Sequence, residues 1–291
     1  GDGRYRMPLF LLRPPADPAL PFRFAPPSLA APVSQLCTHE QFLEPAYARW
    51  CAEIGQAPDR HRKQWEFCYI LSVLESAGML RDGARGLGFG TGREPLPSVF
   101  AQRGMTILAT DAPATIAADH GWSSTGQHSA AAPELHHAHI VPHTRFLERV
   151  TWREVDMNAI PRDLDAGFDF CWSACSLEHL GSIGQGLDFV ANSLRCLRPG
   201  GLAVHTTEFN LTSNDITLEH PQLVLFRRAD IERLMLRLLR EGHEVWPLNL
   251  HPGFGEVDEV VDAPPFGRPH LKVALAPYVA TSIGLVVRRQ A

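Results

Sequence analysis

The segment Gly86-Leu87-Gly88-Phe89-Gly90-Thr91-Gly92 places a glycine at every second position. It follows a short apolar run and precedes a helix-forming stretch. Glycines in such a turn let the backbone approach a ligand closely and supply positive φ. The N-terminus of the helix behind them favours a negatively charged group. Asp111 closes the next apolar run, where a carboxylate can accept hydrogen bonds from both hydroxyls of a ribose. Together these residues describe a nucleoside-binding turn at the carboxyl edge of a sheet. A dinucleotide turn needs the pattern GxGxxG. Counted from Gly88 the third position is Arg93, from Gly86 it is Thr91, and from Gly90 it is Pro95. No register fits, so a nicotinamide dinucleotide is not expected. Further along, Glu178-His179 pairs an acid with an imidazole, and a histidine titrating near neutrality suits a general base for a hydroxyl.

These groups need a scaffold, and hydrophobic periodicity supplies one. The pattern predicts strands over 84–89, 105–110, 150–155, 168–173, 202–207, 244–248 and 279–287. It predicts helices over 96–102, 183–197 and 229–240. An earlier helix is expected from Asp59, as its cap, to about Ala77, ended by Gly78. Alternating strands and helices make an α/β protein with a mostly parallel sheet. Residues 1–35 hold eight prolines and cannot form a regular helix, so they make an extended arm, laid on the body or disordered. The stretches 112–148, rich in His and Ala, and 251–277, rich in Pro, read as inserts. The chain divides into an arm and cap over 1–58 and a main domain over 59–291.

Gly88-x-Gly90-x-Gly92 resembles the first motif of class I S-adenosylmethionine-dependent methyltransferases. The likeness continues in order through Val155-Asp156-Met157, Phe168-Asp169-Phe170-Cys171-Trp172-Ser173, and Leu197-Arg198-Pro199-Gly200-Gly201. Ser176-Leu177-Glu178-His179-Leu180 is similar to a segment of many small-molecule O-methyltransferases. The resemblance covers about residues 61–288. It implies a seven-stranded Rossmann-like sheet with helices on both faces and its last strand antiparallel, between the fifth and sixth. It implies S-adenosylmethionine as cofactor, held by Gly86, Gly88, Gly90, Gly92, Asp111 and Ala112, with Asp156 and Met157 at the adenine. It makes His179 and Glu178 the catalytic pair. The family has an acid two positions before the first glycine of the motif, where this chain has Gly86. Glu94, or a group near Ser173, takes over the methionine ammonium, and Arg62 and Lys63 are candidates for the methionine carboxylate.

Some related enzymes hold a divalent ion on an acid–His pair in this segment, and Glu178-His179 matches it, with Glu208 and His220 as further candidate ligands. The acid expected three residues before Glu178 is Cys175, and a thiolate is a poor partner for magnesium. No metal is therefore expected. The activity implied is methyl transfer to a small-molecule acceptor, a hydroxyl of a sugar, glycolipid or natural product. An RNA methyltransferase of the same fold and a non-catalytic cofactor-binding member are the alternatives.

Composition bears on the partners. The 291 residues are 45% hydrophobic with a net charge of −5, an ordinary globular balance. Excess acid gives no pull toward phosphate backbones, so no nucleic-acid partner is expected. The six cysteines show no CxxC spacing and read as reduced thiols of a cytoplasmic protein. Cys171 and Cys175 read as small core and loop residues. The run Leu9–Leu12 is far too short for a membrane helix, so no membrane insertion is expected. A homodimer is the candidate assembly. The arm and both inserts would build the acceptor pocket, the first insert as a lid. Its histidines (His120, His128, His136, His137, His139, His143) read as surface or lid residues. Trp122, Trp152 and Trp246 read as core, and Arg227-Arg228 as a solvated helix start.

Overall fold

The computed structural model describes residues 4–119, 132–275 and 277–290. His120, Trp122 and His128, and with them the middle of the first insert, lie outside the described residues. In chain order the elements are β1 (Phe22–Arg23), β2 (Ser34–Leu36), α1 (Pro45–Glu53), α2 (Arg62–Ser76), β3 (Arg85–Phe89), α3 (Leu96–Gln102), β4 (Thr106–Asp111), α4 (Ala114–Asp119), α5 (His143–Arg149), β5 (Val150–Glu154), β6 (Phe168–Ala174), α6 (Ile183–Ser193), β7 (Leu197–Asn210), β8 (Glu219–His220), β9 (Leu223–Val224), α7 (Arg228–Arg240), β10 (Glu244–Val245), β11 (Leu248–Asn249), β12 (Val261–Asp262), β13 (Lys272–Leu275) and β14 (Tyr278–Arg288).

β5, β4, β3, β6 and β7 lie side by side in that order, all parallel. This is the doubly wound Rossmann order, which leaves a crevice where the connections change direction, at the carboxyl ends of β3 and β6. β14 runs antiparallel along β7 from Ala280–Asn210 to Arg288–Leu202. Apolar side chains pack on both faces of the sheet. One layer carries Leu187 and Val190 of α6 with Leu234 and Leu238 of α7. The other carries Trp50 of α1, Trp65 and Leu71 of α2, and Phe100 of α3. Helices on both faces and the antiparallel last strand are as expected.

The far edge differs. Among the described residues the sheet carries twelve strands, the seven expected (β5-β4-β3-β6-β7-β14-β10) and five more. The expected sixth strand, 244–248, is broken: Glu244 and Val245 pair with Arg288 and Val287, but Leu248 and Asn249 pair instead with Ser34 and Gln35. Pro247 separates the two pieces; without an N–H it cannot continue the ladder. The Pro-rich arm fills the gap, since β2 pairs antiparallel with β14 and β1 lies parallel to β11. The arm is thus laid on the body, as part of the sheet edge.

Two helix boundaries also move. His61, not Asp59, caps α2, its Nδ1 accepting from the Lys63 N–H at 3.0 Å. Asp59 pairs with Arg268 at 2.7 Å. α6 stops at Ser193, and β7 already starts at Leu197, running through Pro199-Gly200-Gly201. Gly200 takes φ +81° at a bend within β7. Arg227 and Arg228 are not a solvated pair. Arg227 donates to Asp230 across a capping box, and buried Arg228 donates to Glu232 at 2.6 Å.

Candidate active site

The carboxyl ends of the parallel strands open into a cavity of about 580 Å³. Of the residues singled out in the sequence, Gly90, Gly92, Glu94, Asp111, Ala112, Asp156, Met157, Glu178 and His179 line it. Gly86, Gly88 and Ser173 do not. Gly86 and Gly88 sit inside β3, where a Cβ would run into the rings of Phe170 and Trp172 on the adjacent strand. The Ser173 hydroxyl is buried against His205 Nδ1 at 2.8 Å. Crowding by Phe170 explains why no acidic side chain occupies position 86.

At the nucleoside end, Gly90 and Gly92 have φ of +57° and +52°, in the region that favours glycine. The turn is tied to Asp111, which is 6% exposed. Its carboxylate accepts from the Gly92 N–H at 3.2 Å and from the Ala112 N–H at 2.8 Å. Asp156 accepts from the Asn158 N–H at 2.8 Å, which closes the loop after β5 and presents Met157 beside it. Two turns and two carboxylates thus converge on one end of the cavity.

Glu94 follows the glycine turn and is buried at its edge. The Trp172 indole N–H donates to its Oε1 at 2.5 Å. Burial pushes the carboxyl up to about 8, with Asp111 and Glu66 adding to the rise while Trp172 and Lys63 oppose it.

The opposite end is an ionic cluster. Glu66 is fully buried in α2 and accepts from four groups. These are Lys63 Nζ at 3.3 Å, Cys175 Sγ at 2.9 Å, Thr206 Oγ1 at 3.2 Å and Ser282 Oγ at 2.6 Å. Burial would raise this carboxyl, but Lys63, Arg62 and the hydrogen bonds outweigh it and leave it below its ordinary value. Arg62 donates to Glu208 Oε1 near the end of β7. Lys63 also donates to the Ala174 carbonyl at 3.1 Å. Both cations at the start of α2 are thus bonded into the cluster. Glu178, 1% exposed, accepts from Thr207 Oγ1 at 2.9 Å. Burial, Glu178 and Glu66 raise the Glu208 carboxyl, while Arg62 opposes them. Among the described residues, Cys175, Glu178 and Glu208 offer three donor atoms all within 4.8 Å of one another.

His179 stands at the rim of this cluster. Its Nδ1 lies 2.7 Å from the Gln222 carbonyl oxygen. A carbonyl only accepts, so Nδ1 carries the proton and the neutral ring has its lone pair on Nε2. His220 is exposed on β8 and is not in the cavity wall.

The first insert contributes Ala112, Ile116 and His137 to the wall, and residues 1–58 contribute Gln56. The described residues of the insert 251–277 contribute none to the lining. They pack against the sheet edge instead, holding the buried Lys272–Asp258 pair and stacking His270 on His61, 4.5 Å between centroids. All six cysteines are free, five of them buried; Cys175, in the loop after β6, is the one that lines the cavity. Among the described residues no helix is long and apolar enough to cross a membrane.

Glu66 carries no motif, yet its position held a signal: it is the lone charge in the run from Trp65 to Leu74, every residue of which is buried. Trp172 carried no such signal, because its role depends on Glu94 reaching it from another loop.

No family model matches the sequence, and no curated protein matches it. Solved structures are similar to it at low identity. One is a SAM-dependent methyltransferase from Aquifex aeolicus (17% identity, TM-score 0.40, 75% of this chain and 88% of that one). Another is Burkholderia thailandensis 1,6-didemethyltoxoflavin-N1-methyltransferase, solved with S-adenosylhomocysteine and its substrate (16%, TM-score 0.41, 87% and 80%). A third is the cyclase SpnF (15%, TM-score 0.48, 89% and 98%).

Proposed function

We propose that the protein transfers the methyl group of S-adenosylmethionine to a hydroxyl of a small-molecule acceptor, a sugar, glycolipid or other natural product. One observation carries this reading. A single cavity joins a glycine turn braced by Asp111 to an imidazole whose lone pair is on Nε2. Asp111 takes the ribose hydroxyls, Asp156 and Met157 take the adenine, and Gly90 and Gly92 let the backbone pass close to the cofactor. Glu94 takes the methionine ammonium in place of the acid absent at Gly86. The cofactor supplies a methyl group on an already activated sulfonium. What remains for the chain is to align the acceptor oxygen in line with that methyl and remove its proton. His179 Nε2 accepts the proton, and Gln222 holds the ring in the required tautomer.

Denaturing the purified protein and identifying the released small molecules by mass spectrometry tests the cofactor. S-adenosylhomocysteine or S-adenosylmethionine is expected, and a different nucleotide overturns the assignment. With an acceptor in hand, His179→Ala should lower turnover by roughly 10²–10⁴-fold with little change in cofactor affinity. Full activity in that variant removes His179 from the chemistry.

A further inference from the structure

Cys175, Glu178 and Glu208 make a cluster that the methyl-transfer reading leaves unexplained. All three line the cavity, and their donor atoms are mutually within 4.8 Å. They come from separate places: Cys175 and Glu178 from the loop after β6, Glu208 from β7. Two buried carboxylates this close repel each other unless something positive lies between them. Of the nearby cations only Arg62 bonds one of the two carboxylates, and neither cation bonds Glu178. Arg62 covers Oε1 of Glu208, and Lys63 is bonded to Glu66 and the Ala174 carbonyl. Oε2 of Glu208 is buried without any hydrogen-bond partner, on a residue only 6% exposed. Leaving such an oxygen unsatisfied costs about 1–3 kcal/mol, and more when the group is charged.

The geometry points to a divalent-cation site in which Cys175 Sγ, Glu178 and Glu208 hold one ion, with a further position open to the cavity. The donor set selects the metal. A thiolate beside two carboxylates suits zinc and its surrogate cobalt, not magnesium or calcium. Bonds of ~2.0–2.3 Å require the donors to close inward slightly. Hydrogen bonds already present aim two of the ligands, since Thr207 orients Glu178 and Arg62 orients Glu208. On binding, the S–H bond of Cys175 gives way to a sulfur–metal bond and its proton leaves to solvent. His179, though adjacent to Glu178 in sequence, is not one of the three donors. This site departs from the expectation of no metal, and it does not depend on the identity of the cofactor.

The test uses the full chain, stripped with a chelator and titrated with cobalt(II), then with zinc(II) in competition. The site predicts one ion per chain and a near-ultraviolet thiolate-to-cobalt charge-transfer band. Cys175→Ser should abolish the band, and both Cys175→Ser and Glu208→Gln should weaken zinc binding by more than about tenfold. Asp163→Asn, at an exposed ion pair with Arg153, should change nothing. Circular dichroism checks folding, and if Glu208→Gln does not fold, the band in Cys175→Ser decides. A titration with no band, or a band that survives Cys175→Ser, overturns the site. Zinc affinity unchanged in a folded Glu208→Gln overturns it equally.

Discussion

The two ends of the cavity are built by different means. At the nucleoside end, Gly90 and Gly92 follow β3, Asp111 is the last residue of β4, and Asp156 and Met157 follow β5. Each group lies at the end of its own strand, and each is held mostly by neighbouring backbone N–H groups. At the ionic end, Arg62, Lys63 and Glu66 come from α2, Cys175 and Glu178 from beyond β6, and Glu208 from β7. Here side chains hold side chains across more than a hundred residues of chain, as Glu66 does with Cys175 and Ser282. The first end is a set of local turns, each of which could form wherever a strand meets a helix. The second exists only after β7 and β14 have paired and α2 has settled over them. A local binding turn should therefore lose ligand affinity when broken, and a long-range ionic cluster should lose fold stability.

Asp111→Ala is the sharpest probe of the first end and carries the largest expected effect. Two charge-assisted hydrogen bonds to a ribose, each contributing about 1.5–3 kcal/mol, would be lost. S-adenosylhomocysteine affinity measured by calorimetry should fall at least about a hundredfold. Unchanged affinity would mean that the glycine turn and Asp111 do not form a nucleoside site.

Glu66→Ala probes the second end. It strips the partner from Lys63 and leaves the Thr206 and Ser282 hydroxyls facing an unfilled, buried space. Removing one member of a buried ion pair typically costs about 3–5 kcal/mol. Lys63 keeps some exposure to the cavity, at 44%, so the lower part of that range is expected. Chemical denaturation should show the loss. If Glu66→Ala unfolds at the same denaturant concentration as the native chain, the cluster is not a stability element and the contrast between the two ends fails.

The same contrast explains what could be read without the structure. The glycine turn, Asp111 and the alternation of strands and helices declare themselves locally, through spacing and periodicity. The edge of the sheet does not. Nothing in the proline-rich arm marks Ser34–Leu36 as a strand, because its pairing partner, β14, lies some 250 residues away. The break at Pro247 was visible in composition, but where the chain goes next depends on that arm. The ionic cluster was half legible. Glu178 stood out beside His179, and Glu66 could have been found as a lone acid in a buried run. Their convergence with Cys175 and Glu208 is a property of tertiary pairing alone.

Glu94 lies between the two ends and gives the smallest, most discriminating effect. It belongs to the glycine turn in sequence, yet Trp172 of β6 orients it and Lys63 and Glu66 of α2 act on its charge. Its carboxyl is raised to about 8, so near neutral pH most copies carry a proton. Only the ionised form can accept a hydrogen bond from the methionine ammonium while neutralising it. Below that value the ionised fraction rises tenfold for each pH unit, so S-adenosylhomocysteine affinity should rise about tenfold between pH 6 and pH 7. Glu94→Gln keeps the size of the side chain but not the charge, and should flatten this rise. 5′-Methylthioadenosine, which lacks the amino acid tail, should bind the native protein with no such rise. A tail-dependent rise that persists in Glu94→Gln would place the ammonium on another acid. A rise shared by both ligands would tie it to the nucleoside end and would erase the distinction between the two halves of the cavity.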